Sequence, residues 1–188
     1  MSETIDPAAV TAFWRAAGYK RWFGKDEAFD AEIRRRFEAA HMAAARGELA
    51  AWAETAEGAL ALLILLDQFP RNMFRGSAHA FATDPLALAI ARRAVEAGLD
   101  QAVEPAVRTF FYLPFEHSER LEDQDRCVEL CQALRAAAGE SAQGALDYAI
   151  VHRDIIVRFG RFPHRNPAFG RQTTPEEQAF LDGGGFKG

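Results

Sequence analysis

Apolar residues recur along most of this chain every three or four positions, the spacing that gathers them on one face of an α-helix. Asp26, for example, is predicted to open a helix whose apolar stripe includes Phe29, Ile33 and Phe37 and which ends at Gly47. Alanine is frequent, whereas the alternation of apolar and polar residues that is typical of strands forms no convincing run. The pattern therefore predicts an all-α protein.

Capping residues indicate where the predicted helices begin. The pair Asp6-Pro7 predicts the start of the first helix, and Thr174 stands three positions before Glu177, the spacing of a capping box. Ser118 and Ser141 are predicted to cap two further helices. Together with glycines at the predicted ends, these signals indicate about eight helices.

Short links between helices of this length predict stacked antiparallel helix hairpins. Pro70 and Pro163 are each expected to end the helix that precedes them. We expect a single all-helical domain over residues 1–182, followed by a flexible tail over residues 183–188.

Two features predict a cytoplasmic protein with no membrane partner. The longest apolar run, residues 59–66, is far shorter than the roughly 20 residues that span a bilayer. The first residues also lack the basic and apolar regions of a signal peptide. Cys127 and Cys131, the only cysteines, lie four positions apart on one predicted helix face, where buried reduced thiols are expected.

The distribution of charge is uneven. The net charge of −5 argues against a nucleic-acid partner, because such proteins usually carry a basic face. Residues 152–171 nevertheless contain five Arg and two His against one Asp. This local excess of positive charge predicts either a bound anion or a set of buried acids nearby.

Polar residues interrupt the apolar faces of two predicted helices. On a helical wheel, His152 and Arg153 fall inside the apolar arc of the helix over residues 145–159. A buried guanidinium needs an acid or an anion, because leaving it unpaired costs several kcal/mol. Asp67 lies likewise in an apolar helix and needs a cation, either Arg153 or, at the i+4 position, Arg71.

Each of these helices leads into a loop with adjacent Arg and Asn residues. The arginines of the two loops are predicted to converge and to hold a phosphate or carboxylate in bidentate fashion. The alternative is that they cap the C-terminal carbonyls of their own helices. The arginines concerned are Arg71, Arg75, Arg161, Arg165 and Arg171.

Histidines near this cluster suggest proton transfer. His117 or His152 is the candidate general acid or base beside the arginines. The two could also gather with His164 and with Glu116 or Glu119 as metal ligands, but no HExxH-type spacing is present and the arginines would repel a cation. We therefore predict no metal, and no cofactor fingerprint is recognisable.

Three stretches, "DQFPRN", "FFYLPFEHSE" and "HRDIIVRFGRFPHRN", resemble the bacterial domain-of-unknown-function 924 family, and the likeness covers nearly the whole chain. The resemblance implies a TPR-like, right-handed array of helix hairpins, but no activity or cofactor. Glu116 departs from the family pattern, in which an apolar residue usually precedes the His. The resemblance marks Asp67, Gln68, Pro70, Arg71, Asn72, Tyr112, Pro114, His117, Ser118, Glu119, His152, Gly160, Arg161, Pro163, Arg165 and Asn166.

Three functions follow from this pattern as hypotheses. The first, which we favour, is a site for a small anionic ligand, either for binding alone or as an enzyme with His152 and His117 as catalytic candidates. The second is a TPR-like module that binds a peptide or protein partner. The third is a purely structural polar network. The predicted ligand-binding residues are Asp67, Arg71, Asn72, Glu119, Arg153, Arg161, His164, Arg165 and Asn166.

Overall fold

Helices dominate the structure, a computed structural model that describes residues 6–186. No strand occurs within these residues, so the predicted all-α class is confirmed. The TPR-like arrangement of the hairpins stays a prediction. Within the same residues, none of the helices combines the length and the apolar character needed to cross a bilayer.

The chain divides into two compact units. The first unit comprises residues 6–75 and 79–114, and the second comprises residues 76–78 and 115–186. The single domain expected over residues 1–182 stays a prediction, and its first five residues lie outside the described part of the chain.

The first unit starts where the sequence predicts. Asp6 caps the first helix by accepting the N–H of Ala9 at 2.7 Å, and Asp26 caps the third by accepting the N–H groups of Ala28 and Phe29. The helices are α1 (Pro7–Ala17), α2 (Tyr19–Trp22), α3 (Glu27–Ala45), α4 (Ala56–Leu63), α5 (Phe69–Met73), α6 (Asp84–Glu96) and α7 (Pro105–Arg108), with 3-10 turns at Ala50–Glu54, Leu99–Ala102 and Thr109–Phe111.

The long helical stretch that begins at Ala56 does not end before Pro70. Residues Ile64–Gln68 widen into a π-helical turn, and the N–H of Phe69 donates to the carbonyl of Ile64. Pro70 has no N–H and lies in the first turn of α5, where an intrahelical donor is not needed. The prediction that Pro70 stops the helix is therefore wrong.

An aromatic core fills the first unit. The ring of Trp14 lies 5.5 Å from the rings of both Phe69 and Phe110, centroid to centroid, and Phe37 stacks on Phe69 at 4.9 Å. All four side chains are fully buried. Edge-to-face and offset contacts of this kind add to the stabilisation from burial itself.

The second unit is built around two long helices that pack against each other, with Cys127 and Cys131 buried as free thiols as expected. The predicted capping box is confirmed, since Thr174 Oγ1 accepts the N–H of Glu177 and the carboxylate of Glu177 accepts the N–H of Thr174. The helices are α8 (Leu113–Glu116), inside which the boundary between the units falls, α9 (Leu121–Ala138), α10 (Gln143–Phe159) and α11 (Pro175–Asp182), with 3-10 turns at Gly139–Ala142 and Pro163–Arg165. A further 3-10 turn, Ala78–Phe81, begins in the second unit and continues in the first.

Two predicted helix caps are wrong. Ser118 Oγ donates to the carboxylate of Asp123 instead of capping α9, and Ser141 Oγ donates to the carbonyl of Ala138. The hydroxyl of a serine near a helix end bonds equally well to other local groups. A 3-10 turn directly before α10 also shifts its start past Ser141 to Gln143.

Candidate functional site

Most arginines of the segment 152–171 contact acids of the second unit. Among the described residues, the pairs lie at nitrogen to oxygen distances between 2.5 and 3.0 Å, and they are Arg153 with Asp125, Arg158 with Glu176, Arg161 with Glu177 and Arg171 with Glu119. The local excess of positive charge is thus balanced by acids from neighbouring elements.

Glu119 holds the loop that follows α10. Its two carboxylate oxygens accept bidentate hydrogen bonds from Arg171, at 2.7 and 3.0 Å, and one of them also accepts the N–H of Phe162 at 2.9 Å. Burial by itself would raise the pKa of Glu119, but these hydrogen bonds outweigh it and lower the pKa. Glu119 is therefore a charged anchor for the backbone and side chains of this loop.

Glu177 accepts hydrogen bonds from the other half of this loop. The guanidinium of Arg161 donates to it twice, at 2.6 and 2.9 Å, and Asn166 Nδ2 donates at 3.2 Å. The hydrogen bonds from Arg161 come first among the causes that lower the pKa of Glu177 to about 2. Arg161 and Asn166, both predicted ligand-binding residues, are thus brought together by a carboxylate of α11.

Arg153 does not point into the core. Its side chain is 37% exposed and its partner is Asp125, on the surface of α9. The predicted apolar arc of α10 is wider than the face that the structure buries, because Tyr148 and Val157, inside that arc, are more than half exposed. The expectation that Arg153 is buried is therefore wrong.

His152, one position earlier, is buried as predicted. Its Nδ1 lies 2.8 Å from the carbonyl of Tyr148 and 3.4 Å from Oε1 of Glu116, which is also buried. A contact between Nδ1 and a carbonyl assigns the proton to Nδ1, so Nε2, on the other edge of the ring, is a hydrogen-bond acceptor.

Three histidines of the second unit lie close together, and we call His117, His152 and His164 the histidine cluster. The rings of His117 and His152 are 6.4 Å apart between centroids. The ring of Phe186 contacts the rings of His152 and His164, at 4.4 and 5.4 Å between centroids. The predicted tail, residues 183–188, thus contributes a packed aromatic ring; its flexibility stays a prediction, and its last two residues lie outside the described chain.

Arg165 lies beside this cluster. It is buried, donates from Nη1 to the carbonyl of His117 at 2.9 Å, and stacks on the ring of Phe162 at 4.5 Å. Burial is the main cause that lowers the pKa of His152 to about 3, and electrostatic interactions with His117, Arg165 and His164 lower it further. His152 is consequently neutral at pH 7.

The remaining predicted site residues belong to the first unit. Asp67 is buried as expected, and Arg71 supplies its cation, with Nη1 at 3.3 Å from the carboxylate and 2.7 Å from the carbonyl of Asp67. The same guanidinium pairs with Asp84 at 2.8 and 2.9 Å. Asn72 donates to Asp30 at 2.7 Å. These residues form a polar network of their own within the first unit.

No three His, Cys, Asp or Glu side chains between residues 6 and 186 are arranged to hold a metal ion.

A sequence model of the family described as "Bacterial protein of unknown function (DUF924)" matches residues 10–185. The chain belongs to this family. It is similar to a solved structure of a protein of unknown function from Agrobacterium tumefaciens, at 51% identity and a TM-score of 0.87, over 94% of this chain and 97% of that one. A search of curated proteins finds no match.

Sequence reasoning misses several residues that complete these contacts. Capping is the only role that the sequence indicates for Glu177, and for Glu116, which departs from the pattern of the DUF924 family, it indicates only a metal ligand and no contact with His152. Phe186 lies in a glycine-rich stretch that carries no helical pattern. The one signal in the sequence is the local charge, because the excess of arginine in residues 152–171 requires acids from elsewhere in the chain.

Proposed function

We propose that the second unit binds a small anion, a phosphate or a carboxylate, at the histidine cluster. The observation that carries the proposal is the gathering of three imidazoles and the buried guanidinium of Arg165 at one place in a chain of negative net charge. Arg165 carries a positive charge, and each imidazole that takes up a proton adds another, so an anion among these groups is stabilised.

The chemistry of each group suits such a ligand. Arg165, His117 and His164 offer N–H donors to the oxygens of an anion. The acceptor Nε2 of His152 takes a hydrogen bond from the P–OH of a monohydrogen phosphate or from a protonated carboxyl. Glu116 lies against Nδ1, on the opposite edge of that ring, and so does not compete for this position.

The same arrangement defines what a catalytic role would require. A base whose pKa is about 3 takes up a proton weakly at pH 7. Because positive neighbours contribute to this low pKa, a bound anion raises it, and only then does His152 become an effective proton acceptor. We propose that any catalysis by His152, or by His117 beside it, requires that the anion binds first.

For Arg161, Arg171 and Glu119 we propose a structural role, on the strength of their bidentate pairs. The same holds for Arg153, which pairs with Asp125 at the surface. The candidate residues of the second unit thus fall into two groups. The histidine cluster with Arg165 is proposed to bind the ligand, and the outer arginines are proposed to hold the loop around it.

The test is an anion titration of the whole chain, followed by thermal unfolding and by NMR of the imidazole signals. Phosphate, pyrophosphate and citrate are the probes. A ligand present at about a hundred times its dissociation constant stabilises the native state by about 2.7 kcal/mol. We expect at least one probe to do this and to raise the pKa of His152 at the same time.

Variants identify the site. His117→Gln and His164→Gln are expected to weaken binding about tenfold, the loss of roughly one charge-assisted hydrogen bond. Arg158→Gln removes an exposed arginine of the same unit and serves as the control. If no probe stabilises the protein, or if Arg158→Gln weakens binding as much as His164→Gln does, the proposed site is wrong.

A further inference from the structure

A second surface with unusual chemistry lies in the first unit, on the segment "YKRWFGK", residues 19–25. We call it the basic aromatic segment. The side chains of Tyr19 and Phe23 are 65% and 53% exposed, although both are large and aromatic. Three cations, Lys20, Arg21 and Lys25, are exposed between and beside them.

These cations differ from most arginines of the second unit. Neither Lys20 nor Lys25 has a carboxylate of the described chain within 4 Å, whereas most arginines of the second unit pair with one. Arg21 lies 5.5 Å from the ring centroid of Phe29. In a protein whose net charge is −5, this segment therefore presents three positive charges to solvent.

Contacts of Trp22 and the backbone at Gly18 and Gly24 hold the segment in one conformation. The indole N–H of Trp22 donates to the carbonyl of Trp14 at 2.6 Å, and its ring packs edge-on against buried Phe110 at 5.1 Å. Gly18, with a φ of 70°, turns the chain into α2, and a Cβ on Gly24 would lie 2.6 Å from the carbonyl of Lys20. A surface ordered in advance loses little entropy when it binds a partner.

The ring geometry distinguishes between partners of different chemistry. Tyr19 and Phe23 meet at 5.2 Å with 63° between their planes, and Phe23 stacks on Phe110 with 14° between theirs. Two rings at such an angle form a corner and not one flat face. Stacked nucleic-acid bases need an open flat face, and a net charge of −5 repels a long polyanion.

We propose that the basic aromatic segment binds an acidic peptide segment of another protein. An apolar side chain of the peptide enters the corner between Tyr19 and Phe23, and flanking Asp or Glu residues pair with Lys20, Arg21 and Lys25. Tyr and Arg, both exposed in this segment, are among the residue types that dominate binding energy at protein interfaces. This surface belongs to the first unit and is independent of the histidine cluster.

Selection from a library of random heptapeptides tests the proposal, since it requires no identified partner. The library is selected in parallel against the whole chain and against the Tyr19→Ser/Phe23→Ser variant, both of whose changes are at exposed positions. We expect the wild type alone to enrich peptides with one apolar residue flanked by acids. Equal enrichment by both proteins, or enrichment of basic peptides, would overturn the proposal.

The most enriched peptide is then titrated into reductively methylated protein, whose lysine methyl signals are followed by NMR. The chain has three lysines, so the signals of Lys20 and Lys25 can be compared with that of Lys187. Saturable shifts of the first two are expected, with about tenfold weaker binding for Tyr19→Ser and unchanged binding for the matched control Tyr148→Ser. Shifts by single-stranded oligothymidylate at lower concentration than the peptide would overturn the proposal and indicate a nucleic-acid surface.

Discussion

Replacing Glu119 by Ala removes the carboxylate that anchors the loop after α10. Arg171, whose side chain is 24% exposed, loses both of its hydrogen bonds to an acid, and the N–H of fully buried Phe162 loses its acceptor. Losing a charge-assisted pair at a partly buried site costs about 1–2 kcal/mol, and an unsatisfied buried N–H costs about 1–3 kcal/mol. We expect Glu119→Ala to lower the free energy of unfolding by about 2–5 kcal/mol.

Urea unfolding followed by circular dichroism measures this loss. The control is Glu176→Ala, because the pair of Glu176 with Arg158 is more than half exposed and such pairs contribute less than about 1 kcal/mol. A double-mutant cycle with Arg171→Ala isolates the interaction between Glu119 and Arg171, for which we expect at least about 1 kcal/mol. If Glu119→Ala is no more destabilising than Glu176→Ala, the loop is not held as described.

Three further changes test other parts of the structure. Arg153→Ala is expected to cost less than about 1 kcal/mol in a urea titration, because its pair with Asp125 is exposed; a loss of several kcal/mol would show that the residue is buried after all. Folding lowers the pKa of His152 from 6.5 to about 3, so the unfolded chain takes up this proton first, and stability falls as the pH drops below about 6.5. Urea midpoints between about pH 7 and pH 5 should therefore fall less for His152→Gln than for the wild type, and equal slopes would contradict the assignment. Burial and the neighbouring thiol raise the pKa of Cys127, so neither it nor Cys131 should react with a thiol reagent before unfolding, whereas rapid labelling of the native protein would contradict their burial.

Local physical chemistry explains which parts of the fold are predictable. The caps at Asp6, Asp26 and Thr174 depend on side chains that bond to backbone within three residues, and all three are confirmed. The predicted caps at Ser118 and Ser141 are wrong because a serine hydroxyl has several equivalent local partners. The prediction that Pro70 ends its helix is wrong because the π-helical turn before it removes the conflict that ends a helix at proline.

In the candidate site, too, local features are predictable from the sequence and contacts with distant residues are not. The sequence by itself determined that α10 is amphipathic, that His152 lies on its apolar side, and that the arginines of residues 152–171 need acids or anions. Only the tertiary structure decided that Arg153 is at the surface and that Glu119 and Glu177 are the acids. A helical wheel specifies direction, but the width of the buried face and the identity of each partner depend on which elements pack against the helix, and those come from distant parts of the chain.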